Sequence, residues 1–248
     1  MDKRFQIPCQ GMASEEDPLR GMRRVGTDGR DALVASDSPS RVIPKGEMPF
    51  RHLAPADPVS PKKPRSTIVE GVRWCVPKSG SGPGLLVFPN SFAGEIETDI
   101  ATSETLAHYG AKFANRVDGQ IDIPIPHQQT DFTYARDYLY TYVMAAKEKG
   151  GAGGSTLERH SFCHTDMPYE DMDKSGVFVI GKFLDESETR LELTGFSIPR
   201  GETLWIPGGV IHTNNYLRGK WNTMLSISEP IEAVELLRDN KNFSLTFK

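Results

Sequence analysis

The sequence of 248 residues lacks long apolar runs. Its first residues contain no hydrophobic stretch of signal-peptide length, and no later run approaches the roughly 20 apolar residues that a membrane-spanning helix needs. An excess of positive charge is also lacking. The formal net charge is −4, whereas proteins that bind nucleic acids normally carry a basic face. These absences predict a soluble, cytoplasmic protein with neither a nucleic acid nor a membrane as a partner.

Cysteine is scarce as well. Cys9, Cys75 and Cys163 are the only three cysteines, and an odd number at wide spacing predicts no disulfide framework. The length suffices for one or two domains with a sizeable core, so the fold does not need covalent cross-links.

Proline is concentrated in residues 1–66, which do not have the pattern of a packed domain. Seven prolines recur there every three to six residues between Pro39 and Pro64, and this spacing blocks helices and central strands. One interpretation is a disordered tail. The other is an extended arm that wraps around its own domain or a partner subunit, with Phe50, Leu53 and Val59 as apolar anchors.

Residues 67–248 form the second predicted unit, in which short strand-like segments alternate with glycine and proline turns. Thr67 to Val76 is rich in β-branched residues and is interrupted at Gly71. The other predicted strands cover residues 85–88, 94–100, 156–166, 177–183, 190–198, 203–206, 223–228 and 243–247. Many short strands with few helices are typical of a mainly β, jelly-roll (double-stranded β-helix) barrel.

A few peripheral helices are predicted beside this barrel. The apolar spacing after Asp131 predicts a helix up to residue 149, and the spacing of Ile231, Val234 and Leu237 predicts another over residues 230–240. Residues 101–115 are predicted to be helical or irregular.

The segment from Gly201 to Ser228 holds the first candidate for chemistry. A short strand runs into Pro207, Gly208 and Gly209, a turn in which glycine supplies backbone angles that other residues avoid. His212 follows on the next short strand. A histidine in this place can point a neutral imidazole into a barrel, where a metal or a small ligand binds.

An earlier strand offers partners for His212. Alternate residues of a strand share a face, so His164 and Asp166 point the same way. His-x-Asp followed by a histidine 46 residues later is the pattern of a two-histidine-one-carboxylate triad, which leaves coordination positions open on Fe(II). His160 would lie roughly 13 Å from His164 along an extended strand, which favours a role next to the metal ligands or in the barrel interior rather than as a ligand.

Gly201, Pro207, Gly209 and His212 resemble the second motif of the cupin superfamily, although Tyr216 stands where that motif has an asparagine. The segment from His164 can be aligned with the first cupin motif. Asp166 then replaces the second histidine, and Glu170 takes the place of the glutamate. The resemblance covers roughly residues 154–230, and it implies a cupin-like barrel.

The same residues also resemble the closing strands of Jumonji C-type oxygenases. That resemblance implies Fe(II), or another divalent metal, with 2-oxoglutarate as co-substrate. These enzymes bind the far carboxylate of 2-oxoglutarate with a lysine on the strand after His-x-Asp, where this chain has Lys182. Arg218 is the second choice, since it lies six residues after His212 rather than about ten.

Further candidates line the predicted pocket because they lie close to the ligands in sequence. They are Tyr169 and Glu170 as catalytic residues and Asn214 as a cofactor-binding residue. The leading hypothesis is a non-haem Fe(II)/2-oxoglutarate oxygenase that acts on a small molecule. The alternatives are a cupin metalloenzyme without a co-substrate (lyase, isomerase or dioxygenase) and a non-catalytic cupin module that binds a ligand. By analogy with cupins, a homodimer formed by strand exchange is also expected.

Overall fold

The computed structural model describes residues 22–27, 30–35, 41–43, 59–75, 84–113, 127–134, 155–160, 163–226 and 232–248. These residues are mainly β, with two short helices, α1 (Ser103–Ala107) and α2 (Met172–Ser175). The strands are β1 (Met22–Thr27), β2 (Arg30–Ala35), β3 (Arg41–Ile43), β4 (Thr67–Glu70), β5 (Arg73–Cys75), β6 (Gly84–Phe88), β7 (Glu95–Ile96), β8 (Thr98–Ile100), β9 (Lys112–Phe113), β10 (His127–Tyr134), β11 (Thr156–Arg159), β12 (His164–Pro168), β13 (Phe178–Phe183), β14 (Arg190–Ser197), β15 (Leu204–Ile206), β16 (Ile211–Thr213), β17 (Gly219–Ser226), β18 (Glu232–Arg238), β19 (Lys241–Asn242) and β20 (Thr246–Phe247). Among the described residues, no helix is long and apolar enough to cross a membrane.

Two sheets contain most of these strands. The smaller sheet has six strands in the order β3-β10-β17-β12-β15-β9. The larger sheet has ten strands, with the order β4-β14-β13-β16-β11-β18-β6-β5 along its main path. Strand β8 pairs with β14 and β19 pairs with β18 at the sides of that path. The remaining strands form the pairs β1-β2 and β20-β7.

The larger sheet curls strongly. Strands β4 and β5 lie at opposite ends of its main path, although only Gly71 and Val72 separate them in the chain. Three steps of 3.8 Å between Cα atoms hold Glu70 and Arg73 within about 11 Å of each other, so the ends of the sheet must approach. Gly71 makes this turn with φ of +78°, which other residues adopt only with strain.

The hydrophobic core fills the inside of this curl. Trp74 of β5 packs edge-on against Phe183 of β13 at a ring-centroid distance of 5.9 Å. The buried members of the core come from strands all around the curled sheet and from its connections: Val69, Val72, Leu86, Phe88, Ile96, Leu157, Val179, Leu191, Leu193, Ile211, Tyr216, Val234, Leu236 and Leu245.

The other face of the curled sheet is turned toward the smaller sheet. Because side chains alternate along a strand, Leu157 and Ile211 point into the core, whereas Glu158 and His212 point away from it. On the smaller sheet, the imidazole of His164 lies 5.3 Å from that of His212, measured between ring centroids. The two sheets therefore meet at a group of polar side chains.

Most of the predicted strands are confirmed, including the break at Gly71. Both predicted helices are wrong within the described residues. Asp131 to Tyr134 belong to β10, which pairs with β17 on one side and β3 on the other, and residues 135–149 lie outside the described residues. Residues 232–238 form β18 between β11 and β6, since hydrogen-bonded neighbours on both sides override a helical spacing of three apolar residues.

The predicted division at residue 66 stays a prediction. Within the proposed arm, β3 pairs with β10, and the backbone N–H of Lys62 donates to the carbonyl oxygen of Glu104 at 3.0 Å.

Candidate metal centre

Glu158, His160 and His212 form a buried group of donors. One ligand atom from each lies within 4.8 Å of the others, and the three residues are at most 8% exposed. Glu158 and His212 are directly opposite each other on the antiparallel strands β11 and β16. His160 follows the last residue of β11 and is two residues beyond Glu158, which places it on the same side of the strand.

The predicted Pro-Gly turn fixes two members of this group. Gly209 has φ of +85°, and its N–H donates to the carbonyl oxygen of His160 at 2.7 Å. The Nδ1 atom of His212 lies 3.0 Å from the carbonyl oxygen of Val210. A carbonyl oxygen only accepts, so Nδ1 carries the proton and Nε2 keeps a lone pair. Phe178 stacks on the same imidazole at 5.9 Å with an interplanar angle of 7°, which holds the ring in place.

Two donor atoms of this group, one from Glu158 and one from His212, are poorly satisfied. Oε2 of Glu158 and Nε2 of His212 are buried and have no hydrogen-bond partner among the described residues. Burial raises the pKa of Glu158 to about 8, and the charge of nearby Asp166 contributes. Burial also lowers the pKa of His212 to about 4, although the bond to Val210 opposes the shift. His212 is therefore a neutral imidazole at pH 7.

A divalent metal ion fits these residues. Two imidazoles and a carboxylate are donors that iron, zinc, nickel and copper accept in proteins. The positive charge of an ion would favour the ionised carboxylate of Glu158 and would occupy the lone pair of His212. The group can thus hold a metal ion, as the sequence predicted for this barrel, but with a different set of residues.

His164 and Asp166 lie beside the group, on β12 of the smaller sheet. The ring of His164 is 5.3 Å from that of His212 and 6.0 Å from that of His160. Its Nδ1 atom is 3.1 Å from Oδ2 of Asp166, and Oδ1 of Asp166 accepts a hydrogen bond of 2.8 Å from Thr223. Burial raises the pKa of Asp166 to about 7, against the effect of the Thr223 bond. Metal ligation by His164 and Asp166 stays a prediction.

The distance expected between His160 and His164 is wrong. The two rings are 6.0 Å apart rather than roughly 13 Å. The reason is that β11 ends at Arg159 in the larger sheet and β12 begins at His164 in the smaller one, so the chain changes sheets between the two histidines.

Sequence reasoning missed Glu158, although a signal was available. The first cupin motif can be aligned with His164-x-Asp166-x3-Glu170. The same spacing occurs six residues earlier in the chain, as Glu158-x-His160-x3-His164. Both sets of residues therefore have the spacing of that motif. Only the earlier one starts on the strand that pairs with His212.

The remaining predicted site residues lie outside this group. Glu170 follows β12, and its carboxylate packs against Gly219 at the start of β17. Tyr169 is 38% exposed, and the ammonium group of Lys220 lies 5.3 Å from its ring centroid. Asn214 is buried just beyond β16, two residues after His212, whereas Arg218 is exposed.

Lys182 lies on the face of β13 that also carries Ile180, the residue opposite His212. Its Nζ donates to the carbonyl oxygen of His108 at 2.7 Å and lies 3.9 Å from Oε2 of Glu192. The buried carboxylate of Glu192 also contacts Nε2 of His108 at 2.9 Å and accepts a bond of 2.6 Å from Ser66. The charge of Lys182 is therefore balanced within the protein.

No protein-family model, curated protein or solved structure matches this chain. The curled sheet and the buried group of histidines and glutamate are compatible with a cupin-like fold. The interpretation of the site therefore depends on its own residues and geometry.

Proposed function

We propose that the protein is a metal-dependent enzyme of the non-haem iron type, with Glu158, His160 and His212 as metal ligands and a small molecule as substrate. The observation that carries the proposal is the convergence of three buried donors within 4.8 Å, two of them with donor atoms that lack a hydrogen-bond partner among the described residues. Two histidines and one carboxylate are the ligand set of non-haem Fe(II) oxygenases.

The order of eight strands supports a jelly roll as the setting of this site. When β10 to β17 are counted as strands one to eight, the first, eighth, third and sixth are neighbours in the smaller sheet. These are β10, β17, β12 and β15. The second, seventh, fourth and fifth, which are β11, β16, β13 and β14, are neighbours in the larger one. Such alternation between two sheets is typical of a double-sheet jelly roll. It places β11 and β16, the strands of Glu158 and His212, side by side.

The protein residues prepare the site in three ways. The carbonyl of Val210 selects the tautomer of His212 that has its lone pair on Nε2. Phe178 stacks on that imidazole and helps to hold its orientation. Glu158 supplies the negative charge. A bound metal ion with three protein ligands would supply open coordination positions for a substrate and for O₂.

The balanced charge of Lys182 favours an enzyme that works without 2-oxoglutarate. A carboxylate brought to this ammonium group would meet Glu192, which lies 3.9 Å from it. Arg218, the second predicted anchor, is exposed. A co-substrate-free dioxygenase or related metalloenzyme is therefore the first candidate. A 2-oxoglutarate oxygenase is the second, and the position of Lys182 on the same sheet face as His212 favours it.

Metal binding is the first test. Protein purified without oxygen should bind one equivalent of Fe(II) or Co(II). Glu158→Gln and His212→Ala should abolish binding, whereas Glu192→Gln, which alters a buried carboxylate outside the group, should not. No binding to the wild type after reconstitution would refute the proposal and favour a non-catalytic module.

The co-substrate is tested on the iron-loaded protein. Succinate formation from 2-oxoglutarate that is lost in Lys182→Met would establish the second candidate. For the first candidate, we expect no succinate, and O₂ uptake only when a substrate from a panel of small molecules is added. Such uptake should disappear in Glu158→Gln.

A further inference from the structure

We infer that Asp166 is a positioning residue, which aims the imidazole of His164 at Glu158, His160 and His212 so that His164 completes the metal site as a fourth ligand. This inference rests on the proposed metal site. It assigns Asp166 a role that differs from the direct ligation expected from the His-x-Asp pattern.

A chain of three side chains carries the inference. Thr223 of β17 donates to Oδ1 of Asp166 at 2.8 Å, and Oδ2 of Asp166 lies 3.1 Å from Nδ1 of His164. All three residues are at most 1% exposed. Thr223 and Asp166 are also directly opposite each other in the register of β17 and β12, so the backbone sets this contact.

The two carboxylate oxygens of Asp166 are thus directed to Thr223 and His164. Neither Asp166 nor His164 belongs to the group of donors that converge within 4.8 Å, but the ring of His164 lies 5.3 Å from that of His212 and 6.0 Å from that of His160. A neutral histidine with its Nδ1 proton toward a carboxylate presents Nε2, at the other side of the ring, to a metal. Carboxylates orient metal-binding histidines in this way in many metalloproteins.

The contact between Nδ1 and Oδ2 is within ion-pair distance, but its angle is not that of a hydrogen bond. Ligation at Nε2 would fix the tautomer of His164 that carries the Nδ1 proton. A small rotation of the imidazole would then align this N–H with Oδ2 of Asp166 as a hydrogen bond. Catalytic hydrogen bonds commonly tighten in this manner when a ligand binds.

The topology gives the fourth ligand a distinct consequence. Glu158 and His212 belong to the larger sheet, whereas His164, Asp166 and Thr223 belong to the smaller one. A metal bound by His164 as well as by Glu158 and His212 would therefore cross-link the two sheets. Because this ligand adds to the affinity, metal binding should stabilise the wild type more than a variant that lacks His164 at the same free metal concentration.

The test uses Co(II) affinity together with a count of bound imidazoles from the electron spin echo modulation of the Cu(II)-loaded protein. We expect three imidazoles in the wild type and two in His164→Ala. Asp166→Asn should weaken Co(II) binding about 10- to 100-fold, the usual effect of removing an outer partner of a histidine ligand. Its imidazole count should fall below three, because His164 is no longer held.

Thr223→Val separates positioning from charge. It keeps the carboxylate but removes the bond that orients it, and we expect a loss of affinity of a few-fold that Thr223→Ser restores. An Asp166 that acted only by its negative charge would leave Thr223→Val at wild-type affinity. That result would overturn the inference.

Two other outcomes would also overturn it. One is an imidazole count of two in the wild type that His164→Ala does not change, as expected if Asp166 itself is the ligand. The other is an Asp166→Asn variant that melts at a lower temperature but binds Co(II) as tightly as the wild type, which would indicate a purely structural role. Failure of the proposed function would look different, since the wild type would then bind no Co(II) at all.

Discussion

Glu158 and His212 face each other across two adjacent antiparallel strands, with Oε1 of the glutamate 3.5 Å from Nε2 of the histidine. Direct cross-strand partners on one face of a sheet are the closest side chains that two strands can offer. Here both are buried, and burial shifts both pKa values toward the neutral form. The two neutral side chains therefore attract each other only weakly. A cation bound between them would favour the ionised carboxylate of Glu158 and would interact with the lone pair of His212.

The first prediction concerns the metal-free protein and Glu158→Gln. The pKa of Glu158 is raised from its ordinary value of 4.5 to about 8, so the folded state binds more protons than the unfolded state between these limits. Stability then falls as pH rises from about 5 to 8, and it is fully retained only below the unfolded pKa. At pH 8 we expect the glutamine variant to melt higher than the wild type by at least roughly 2–4 °C, corresponding to about 1 kcal/mol.

Calorimetric scans of both metal-free proteins at pH 5 and pH 8 provide the measurement. Asp166→Asn is a suitable comparison. The pKa of Asp166 is about 7, so this carboxyl group also makes stability fall with rising pH, but its effect ends at a lower pH than that of Glu158. Equal melting temperatures of wild type and Glu158→Gln at pH 8 would show that Glu158 ionises there without penalty.

The second prediction is the pH dependence of metal affinity. Glu158 must lose its proton to bind an ion. Below the pKa of Glu158, the release of this one proton makes the apparent metal affinity rise about tenfold for each pH unit. We expect the affinity for Co(II) to rise from pH 6 to about pH 8 and then to level off. His212, with a pKa of about 4, is already neutral over this range and adds no slope.

Titration calorimetry in two buffers with different ionisation enthalpies counts the protons that are released. At pH 6 at least one proton should leave for each metal ion bound, and at pH 9 fewer should. A flat affinity across this range would mean that Glu158 is not a ligand.

The sequence predicts those parts of the fold that local chemistry determines. The β-branched run before Gly71 forms β4, and the turn formed by Pro207, Gly208 and Gly209 delivers His212 to a buried position. Both depend on residues close together in the chain. Position in the sheets is different, since β18 has apolar residues at helical spacing and becomes a strand because β11 and β6 flank it.

The ligand set fails to follow from spacing for a related reason. Distances along one strand predict that His160 and His164 are far apart, but the chain moves from one sheet to the other between them. Strand geometry holds only while the strand continues. The pairing of Glu158 with His212 is a contact between residues 54 positions apart, and the motif spacing that includes Glu158 fits a second set of residues six positions later equally well, so spacing alone does not select it.

The third prediction uses two glycines with the same backbone conformation. Gly209 and Gly201 have φ of +85° and +80°, and a Cβ atom at either would meet no atom within 4 Å. Replacement by alanine should therefore cost each the same backbone strain, about 1–2 kcal/mol. Only the N–H of Gly209 bonds to a member of the donor group, the carbonyl oxygen of His160.

We therefore expect Gly209→Ala to lower metal affinity as well as stability, and Gly201→Ala to lower stability alone. Melting temperatures and Co(II) titrations of the two variants make the comparison. Equal metal affinity in both would show that the Pro-Gly turn supports the fold without adjusting the site.

The last prediction concerns Glu192→Gln. Burial opposes the ionisation of Glu192, but hydrogen bonds from Ser66 and His108 and the charges around it hold its pKa below the ordinary value. A carboxylate with a lowered pKa stabilises the folded state above the unfolded pKa, and this stabilisation is lost as pH falls through the folded value. At pH 7 we expect the variant to be less stable by about 1–3 kcal/mol, since its buried donors lose a charged acceptor.

The difference between wild type and Glu192→Gln should begin to shrink as pH falls below the unfolded pKa of about 4.3, and it should disappear once the folded carboxylate is also protonated. Urea unfolding at pH 7 and at pH 3.5 measures it. Metal affinity at pH 7 should be unchanged, because the contacts of Glu192 are with Lys63, Ser66, His108 and Lys182 rather than with the donor group. A matching loss of Co(II) binding would instead show that this buried carboxylate and the metal site form one unit, and that the balance of charge at Lys182 is part of how the site works.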